Sequence, residues 1–283
     1  MSDSATAPTI TEVVSVAEAK RSVRRARPRR VMLGIAGVVI FLVIWEIVSR
    51  FGPVDMKYLP PPTEVVPTFF RNIVLIGFWS AVGNTLLSWF LGMLLAVLGG
   101  GVLGILIGLS SFARRATRST IEFLRPIPSV ALIPLAVLLF STPIQQSLLV
   151  VTYGAFWQVL FQTLYGVADV DAVAMATGRS YGFSWLQRVR HIVMPTMLPY
   201  LMTGVRLASA VALILAITCE LQIGKPVGLG AEILHAKDNG LYASSYALVL
   251  ATGLLGIVLN FGMRWIERRL LSWHQSVRSE AAA

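Results

Sequence analysis

Five apolar runs dominate the chain: residues 31–50, about 80–110, 147–167, 197–221 and about 241–264. Each is about as long as the 20 residues a helix needs to cross the hydrocarbon core of a bilayer. A lipid-embedded backbone must satisfy its own hydrogen bonds, and uninterrupted runs of this length do so as helices. A sixth segment, LRPIPSVALIPLAVLLFSTP at 124–143, is short for a span and carries Pro126, Pro128, Pro134 and Pro143. It reads as a kinked or interrupted helix, tolerated in a membrane only against protein or a water-filled cavity. The expected fold class is all-α: a polytopic membrane protein with about six transmembrane helices. Between the runs, FGPVDMKYLPPPTEVVPTFF at 51–70 reads as an extended proline-rich loop and RRATR at 114–118 as a basic loop. QIGKPVGLGAEILHAKDNG at 222–240 reads as a glycine-rich loop with room for a short helix.

The charges orient the spans. Residues 1–30 read as a disordered tail that turns basic at KRSVRRARPRR, immediately before the first run. A signal peptide fits less well, because the run that follows is as long as a full span and no A-x-A site comes after it. With the N-terminus inside, the cytoplasmic pieces hold Arg114, Arg115, Arg118, Arg179, Arg188, Arg190, Arg264, Arg268 and Arg269. The outer loops then hold only Lys57, Arg71, Lys225 and Lys237. That asymmetry favours both termini in the cytoplasm. On this reading 31–273 is the membrane domain and 274–283 a short tail.

Composition excludes several classes. Charged residues are 13% of the chain and hydrophobic ones 55%, where a soluble domain carries about 25% charged residues. The net charge of +10 sits mostly at the edges of apolar runs, which argues against a nucleic-acid partner. Cys219 is the sole cysteine, so no internal disulfide forms, and His191, His235 and His274 are too scattered for a zinc-type cluster. No G-x-x-x-x-G-K-[ST] occurs, so the chain does not bind ATP by that motif. Neither a paired carboxylate nor a nucleophile–base set occurs in the spans, which argues against an enzyme.

One stretch interrupts the apolar pattern. Residues about 168–194 face the cytoplasm in this topology and include GRSYGFSWLQRVRHIV at 178–193. Tyr181, Phe183, Trp185, Leu186, Val189, Ile192 and Val193 give it an apolar side. Gly178 and Gly182 supply turn points and Ser184 caps a following helix. Two short helices joined at Gly182 are expected, and an exposed amphipathic element needs a partner, lipid or protein.

The stretch resembles the cytoplasmic loop of the permease subunits of bacterial ABC importers. Such loops carry a Glu-Ala-Ala triplet, a glycine six residues past the Glu and a proline some thirteen beyond. Gly182 and Pro195 have the glycine-to-proline spacing, and the likeness continues through Pro199 into TGVRLA at 203–208. The triplet is degraded to Ala176, Thr177 and Gly178. YLPPPTEV at 58–65, LRPIPSVALIPL at 124–135, RSYGFSWLQRV at 179–189 and ERRLLSW at 267–273 look like the sulfonate/taurine/nitrate branch, whereas FSTPIQQ at 140–146 departs from it.

The resemblance implies an inner-membrane location, a second permease copy, two ATPase subunits and an extracytoplasmic solute-binding protein. ATP and magnesium would sit on the ATPase, and this chain would bind no cofactor. The ATPase-coupling residues would be Ala176, Thr177, Gly178, Arg179, Tyr181, Gly182, Ser184, Trp185, Gln187 and Arg188. The solute implied is a small organic anion, a sulfonate or taurine. Nitrate or a pyrimidine-type vitamin precursor is the nearest alternative, and a self-sufficient secondary transporter or channel is the alternative from another class.

Six polar residues inside the runs are candidates for the translocation path. Asn84, Thr85 and Ser88 share a helix face, and either line the path or bond a neighbouring helix. Gln158 and Gln162 are one turn apart beside Phe156, Trp157 and Phe161. Arg206 lies eleven residues past Pro195, near mid-bilayer if Pro195 marks the surface, and snorkels if the span starts deeper. Gly100, Gly104 and Gly108 form a bare strip for close helix packing. Glu220 is expected among the outer headgroups, and Glu46 with Arg50 as an interfacial pair.

Overall fold

A computed structural model describes residues 32–223 and 228–271. The expected basic tail at 1–30, the C-terminal tail at 274–283 and Lys225 lie outside the described residues. The described chain is helical, with no strand among the described residues. It divides into two compact units, the first ending at Val65 and the second starting at Val66.

The first unit is built on α1, Met32–Phe51. Ile40, Phe41 and Ile44 are exposed, as suits a helix solvated by lipid. Arg50 Nε donates to Glu46 at 2.6 Å, so the expected pair forms. Thr63 joins it, its hydroxyl donating to Glu46 at 3.0 Å. The Ser49 hydroxyl bonds the Leu59 carbonyl and ties the returning chain to the end of α1. Residues 51–70 are not one loop: α2 is a helix over Pro62–Val74. Proline suits a first helical turn, where its missing N–H would have had no partner.

In the second unit three long helices form the core: α3 (Ile76–Leu109), α6 (Pro143–Ala168) and α9 (Met194–Ile223). The α3–α6 contact depends on absent side chains. A Cβ at Gly104 would meet Thr163 at 2.6 Å, and one at Gly108 would meet Val167 at 2.8 Å. The glycine strip is therefore packing, and it lets two backbones approach where larger residues would hold them apart. On the α9 side Gly166 fits against Met197 and Tyr200. Trp89 donates its indole N–H to the Ser209 carbonyl at 2.9 Å, tying α3 to α9. Small buried residues, Ala155, Ala208, Ala212 and Ala216, fill the space between.

RRATR is not a loop. It lies in α4, Ser111–Leu124, which starts one residue after α3 stops because Ser110 caps it, accepting from the Ala113 N–H. None of α4 is buried. A proline-rich break then leads to a 3₁₀ turn (Ser129–Leu132) and the short α5 (Ile133–Leu139). The α4 and 129–139 segments meet at 82°, the interruption that Pro126 and Pro128 predict. Counting this bent pair as one span gives six, and without it five. The remaining elements are α7 (Ala172–Ser180), α8 (Trp185–Arg188), α10 (Leu229–Asp238) and α11 (Tyr242–Leu270). Residues Trp185–Ile223 form one rod of 39 residues, in which a five-residue π segment, Val189–Val193, joins α8 to α9. At 1.5 Å per residue it is about 58 Å long, nearly twice the hydrocarbon core, so α8 stands clear of the apolar region.

Candidate functional site

The stretch between α6 and α9 folds as a helical hairpin with defined caps. Asp171 opens α7 by accepting from the Val173 N–H at 2.8 Å. At the other end Phe183 N–H reaches the Gly178 carbonyl at 2.9 Å, and Gly182 N–H reaches the Arg179 carbonyl at 3.0 Å. This pair of bonds is a Schellman closure, and Gly182 supplies its left-handed residue with φ +72°. Ser184 and Gln187 then form a capping box: Ser184 Oγ accepts from Gln187 N–H, and Gln187 Oε1 accepts from Ser184 N–H at 2.7 Å. Two helices joined at Gly182 are thus present.

Exposure divides the coupling candidates. Ala176, Thr177, Arg179, Tyr181, Gly182, Ser184, Trp185 and Gln187 are exposed. Arg188 is half-buried. Gly178 is not a turn point: it is buried inside α7, where a Cβ would meet Ile192 at 2.9 Å, so it allows close packing and offers no side chain to a partner. Tyr181 is 79% exposed and Leu186 66%, beside a half-exposed Trp185. This element presents Tyr181, Trp185 and Leu186 on its outer surface.

The six path candidates do not converge. Thr85 is fully buried and its hydroxyl donates to Glu220 at 2.9 Å. Ser88 is buried and Asn84 half-buried. Gln158 and Gln162 lie over Gly204 of α9, where a Cβ would meet Gln162 at 2.9 Å. Arg206, two residues further along α9, turns to α11 instead and pairs with Glu267 at 3.2 Å. Glu267 is three residues from the end of α11, so Arg206 stands near the ends of the spans and not midway.

Glu220 is not among headgroups. It is 6% exposed, and one carboxylate oxygen accepts from both Thr85 Oγ1 and Gly230 N–H at 2.9 Å. Thr85 Oγ1 in turn accepts from Leu229 N–H at 2.9 Å. The carboxylate therefore caps α10 from another helix, where the helix dipole favours negative charge. Gly228, at φ +99°, lies against it so closely that any Cβ would collide with the carboxyl group. The sequence signal was present as a Glu within an apolar run followed by Gly-Leu-Gly at 228–230.

Among the described residues no group of three or more His, Cys, Asp or Glu is placed to hold a metal. The organisation is that of a helix bundle with an exposed helical hairpin at 172–188. Comparison with known proteins defines the class. Residues 100–272 match the family described as "Binding-protein-dependent transport system inner membrane component", and the chain belongs to that family. It is a multi-pass inner-membrane permease subunit of an ABC importer, not an enzyme, and hydrolysis of ATP falls to a separate subunit.

Relatives carry the likeness over most of their length. SsuC of Bacillus subtilis strain 168, named for aliphatic sulfonates transport, is 29% identical over 87% of this chain and 88% of its own. TauC of Escherichia coli K12, a taurine transport permease, is 29% identical over 88% and 92%. NrtB of Synechococcus elongatus, a nitrate import permease, is 26% identical over 81% and 86%. Among solved structures, a bacterial ABC transporter involved in alginate import shares the fold. It has a TM-score of 0.57 and 15% identity, over 89% of this chain and 99% of that one.

Proposed function

We propose that the chain carries a small organic anion inward, a sulfonate or taurine, as one of two permease copies driven by two ATPase subunits. The names of the relatives support the anion class, since sulfonate, taurine and nitrate share an oxyanion head or its chemistry. The observation that carries the coupling reading is the hairpin at 172–188. Its exposed Tyr181, Trp185 and Leu186 form an apolar surface outside the lipid-facing spans, and such a surface calls for a protein partner. ATP-driven closure of the ATPases would push on α7 and α8. Because α8 continues into α9, that push would tip a span directly. A binding protein delivers the solute at the opposite face.

The experiment is gentle extraction of the tagged chain from its native membrane and identification of what accompanies it. One ATPase per permease is expected, lost when Tyr181, Trp185 and Leu186 are changed together to Ser. A stable, transport-active chain with no ATPase would overturn the importer assembly and make the hairpin a lipid-surface element.

A further inference from the structure

Helix α4 has three distinct sides. Arg114, Arg115, Arg118 and Arg125, the residue that caps its end, fall with Glu122 within one arc of about 100° at 3.6 residues per turn. All four arginines are exposed. Arg118 Nε donates to Glu122 at 2.8 Å, and among the described residues Arg114, Arg115 and Arg125 make no ion pair. Phe112 and Phe123, three turns apart, share a second side with Ala116, and each phenylalanine is 74% exposed. The half-buried Ala113, Thr117, Ile121 and Leu124 form the third side, which is turned to the bundle.

The helix runs across the bundle near the ends of the spans. Its start follows Gly108, where a Cβ would meet Val167 of α6 at 2.8 Å. At its end the Arg125 guanidinium is 4.4 Å from the centre of the Phe161 ring, six residues earlier on α6 and roughly 9 Å along that helix. The 14 residues of α4 make a helix about 21 Å long, so α4 runs more across α6 than along it. Gln162, beside Phe161, packs on Gly204, two residues from the Arg206 that pairs with Glu267 near the end of α11. The 129–139 segment meets α4 at 82°, so a helix lying in the membrane plane is followed by one that enters the membrane. The crossing then falls to 125–142. Its seven non-helical residues at up to about 3.3 Å and eleven helical ones at about 1.5 Å reach roughly 40 Å, more than the thickness of the hydrocarbon core.

We infer that α4 is an in-plane helix that binds anionic phospholipid through the headgroup phosphates. Phe112 and Phe123 lie at the hydrocarbon boundary, and the arginine arc lies beside them at the level of the phosphates. A helix with aromatic residues on one side and basic residues on another takes up that position. The arc carries four guanidiniums against one carboxylate, and a guanidinium meets a phosphate through two parallel hydrogen bonds. In the expected topology the arc faces the cytoplasmic leaflet, whose surface is negative. A protein partner would have to match the bare phenylalanines and the basic arc separately, whereas one lipid leaflet supplies hydrocarbon and phosphate side by side. The Tyr153 hydroxyl donates to the Leu124 carbonyl at 2.7 Å and ties the end of this lipid-held helix to α6.

The test places a bimane label on Ser119→Cys, an exposed position between the arginine arc and the phenylalanines. Cys219 is fully buried and gives no competing label. The full-length chain, with whatever subunits extract with it, is reconstituted in phosphatidylcholine vesicles. These contain a minor share of phosphatidylglycerol or of phosphatidylcholine, either one brominated on its acyl chains. Bromine quenches the label at short range, so quenching reports which lipid lies against α4. Phosphatidylglycerol is expected to quench as if enriched about fivefold over phosphatidylcholine, which is about 1 kcal/mol, and high salt should remove most of the difference. Arg114→Gln with Arg115→Gln should bring the enrichment below about twofold, and the matching Lys pair should retain most of it. Equal quenching by the two lipids overturns the lipid site, as does a difference that high salt or the Gln pair leaves unchanged. No quenching by either lipid also overturns it, because water or a protein partner then surrounds α4. Salt acts on the unaltered arginines, so the outcome stands even where the Gln pair fails to insert.

Discussion

A carboxylate inside a helix bundle needs partners that replace water, and Glu220 has them from two directions. Thr85 donates from α3 and Gly230 from the first turn of α10. Gly228 and Gly230 are glycines because the carboxyl group and the α9 backbone occupy the space a Cβ would take. Position along an apolar run puts this Glu at the membrane surface. Its partner Thr85 is 135 residues away, and nothing local reveals it. The level of Arg206 escapes a local reading for a similar reason: it depends on Glu267, 61 residues further on. Removing the carboxylate leaves the Gly230 N–H buried without an acceptor, a loss of roughly 1–3 kcal/mol. Glu220→Ala is therefore expected to lower the unfolding temperature of the purified chain in detergent, and Glu220→Gln, which keeps an acceptor oxygen, to lower it less. Equal and negligible shifts for both would mean that α10 does not depend on this cap.

The hairpin at 172–188 shows the opposite case, an element whose signals are local. Gly182, Ser184 and an apolar side are legible as a turn, a cap and an amphipathic helix, because each acts through bonds within six residues. What the local pattern leaves out is that α8 has no end of its own. A π segment carries it through Pro195 into α9, so the coupling element and the span are one rod. Helices α2 and α4 stand where loops were expected. Proline and clustered arginine suggest loops, yet proline fits a first helical turn and arginine an unburied helix. At Gly182 no atom lies within 4 Å of the place a Cβ would take, so a substitution there acts through the backbone alone. A left-handed residue costs about 1–2 kcal/mol for an ordinary side chain, and less for Asn. Gly182→Val should leave membrane insertion intact and reduce ATP-coupled uptake by about tenfold or more, whereas Gly182→Asn should stay close to the parent. Normal coupling in the Val variant would show that the hairpin's shape is not what the ATPase engages.

The direction in which the bundle faces decides whether that hairpin can meet an ATPase at all. Charge gives the expected answer. Arg114, Arg115 and Arg118 on α4 and Arg179, Arg188 and Arg190 on the hairpin belong to connections on one side of the alternating spans. Lys237, near the end of α10, belongs to a connection on the other. Positive side chains stay in the cytoplasm during insertion, so α7 and α8 should lie inside and α10 outside. The bent pair α4–α5 has to count as one crossing for this alternation to hold, since otherwise the α4 arginines and the hairpin, separated by α6 alone, would lie on opposite sides. Single cysteines at Ser180 and Asp238, both exposed, test this placement. In intact cells a membrane-impermeant maleimide should label Asp238→Cys at once and Ser180→Cys only after permeabilisation. The reverse pattern would mean that the protein is inverted or that α4–α5 turns back without crossing, and either would leave the hairpin out of reach of any cytoplasmic ATPase. Labelling of both from outside would mean that α9, the single span between them, does not cross.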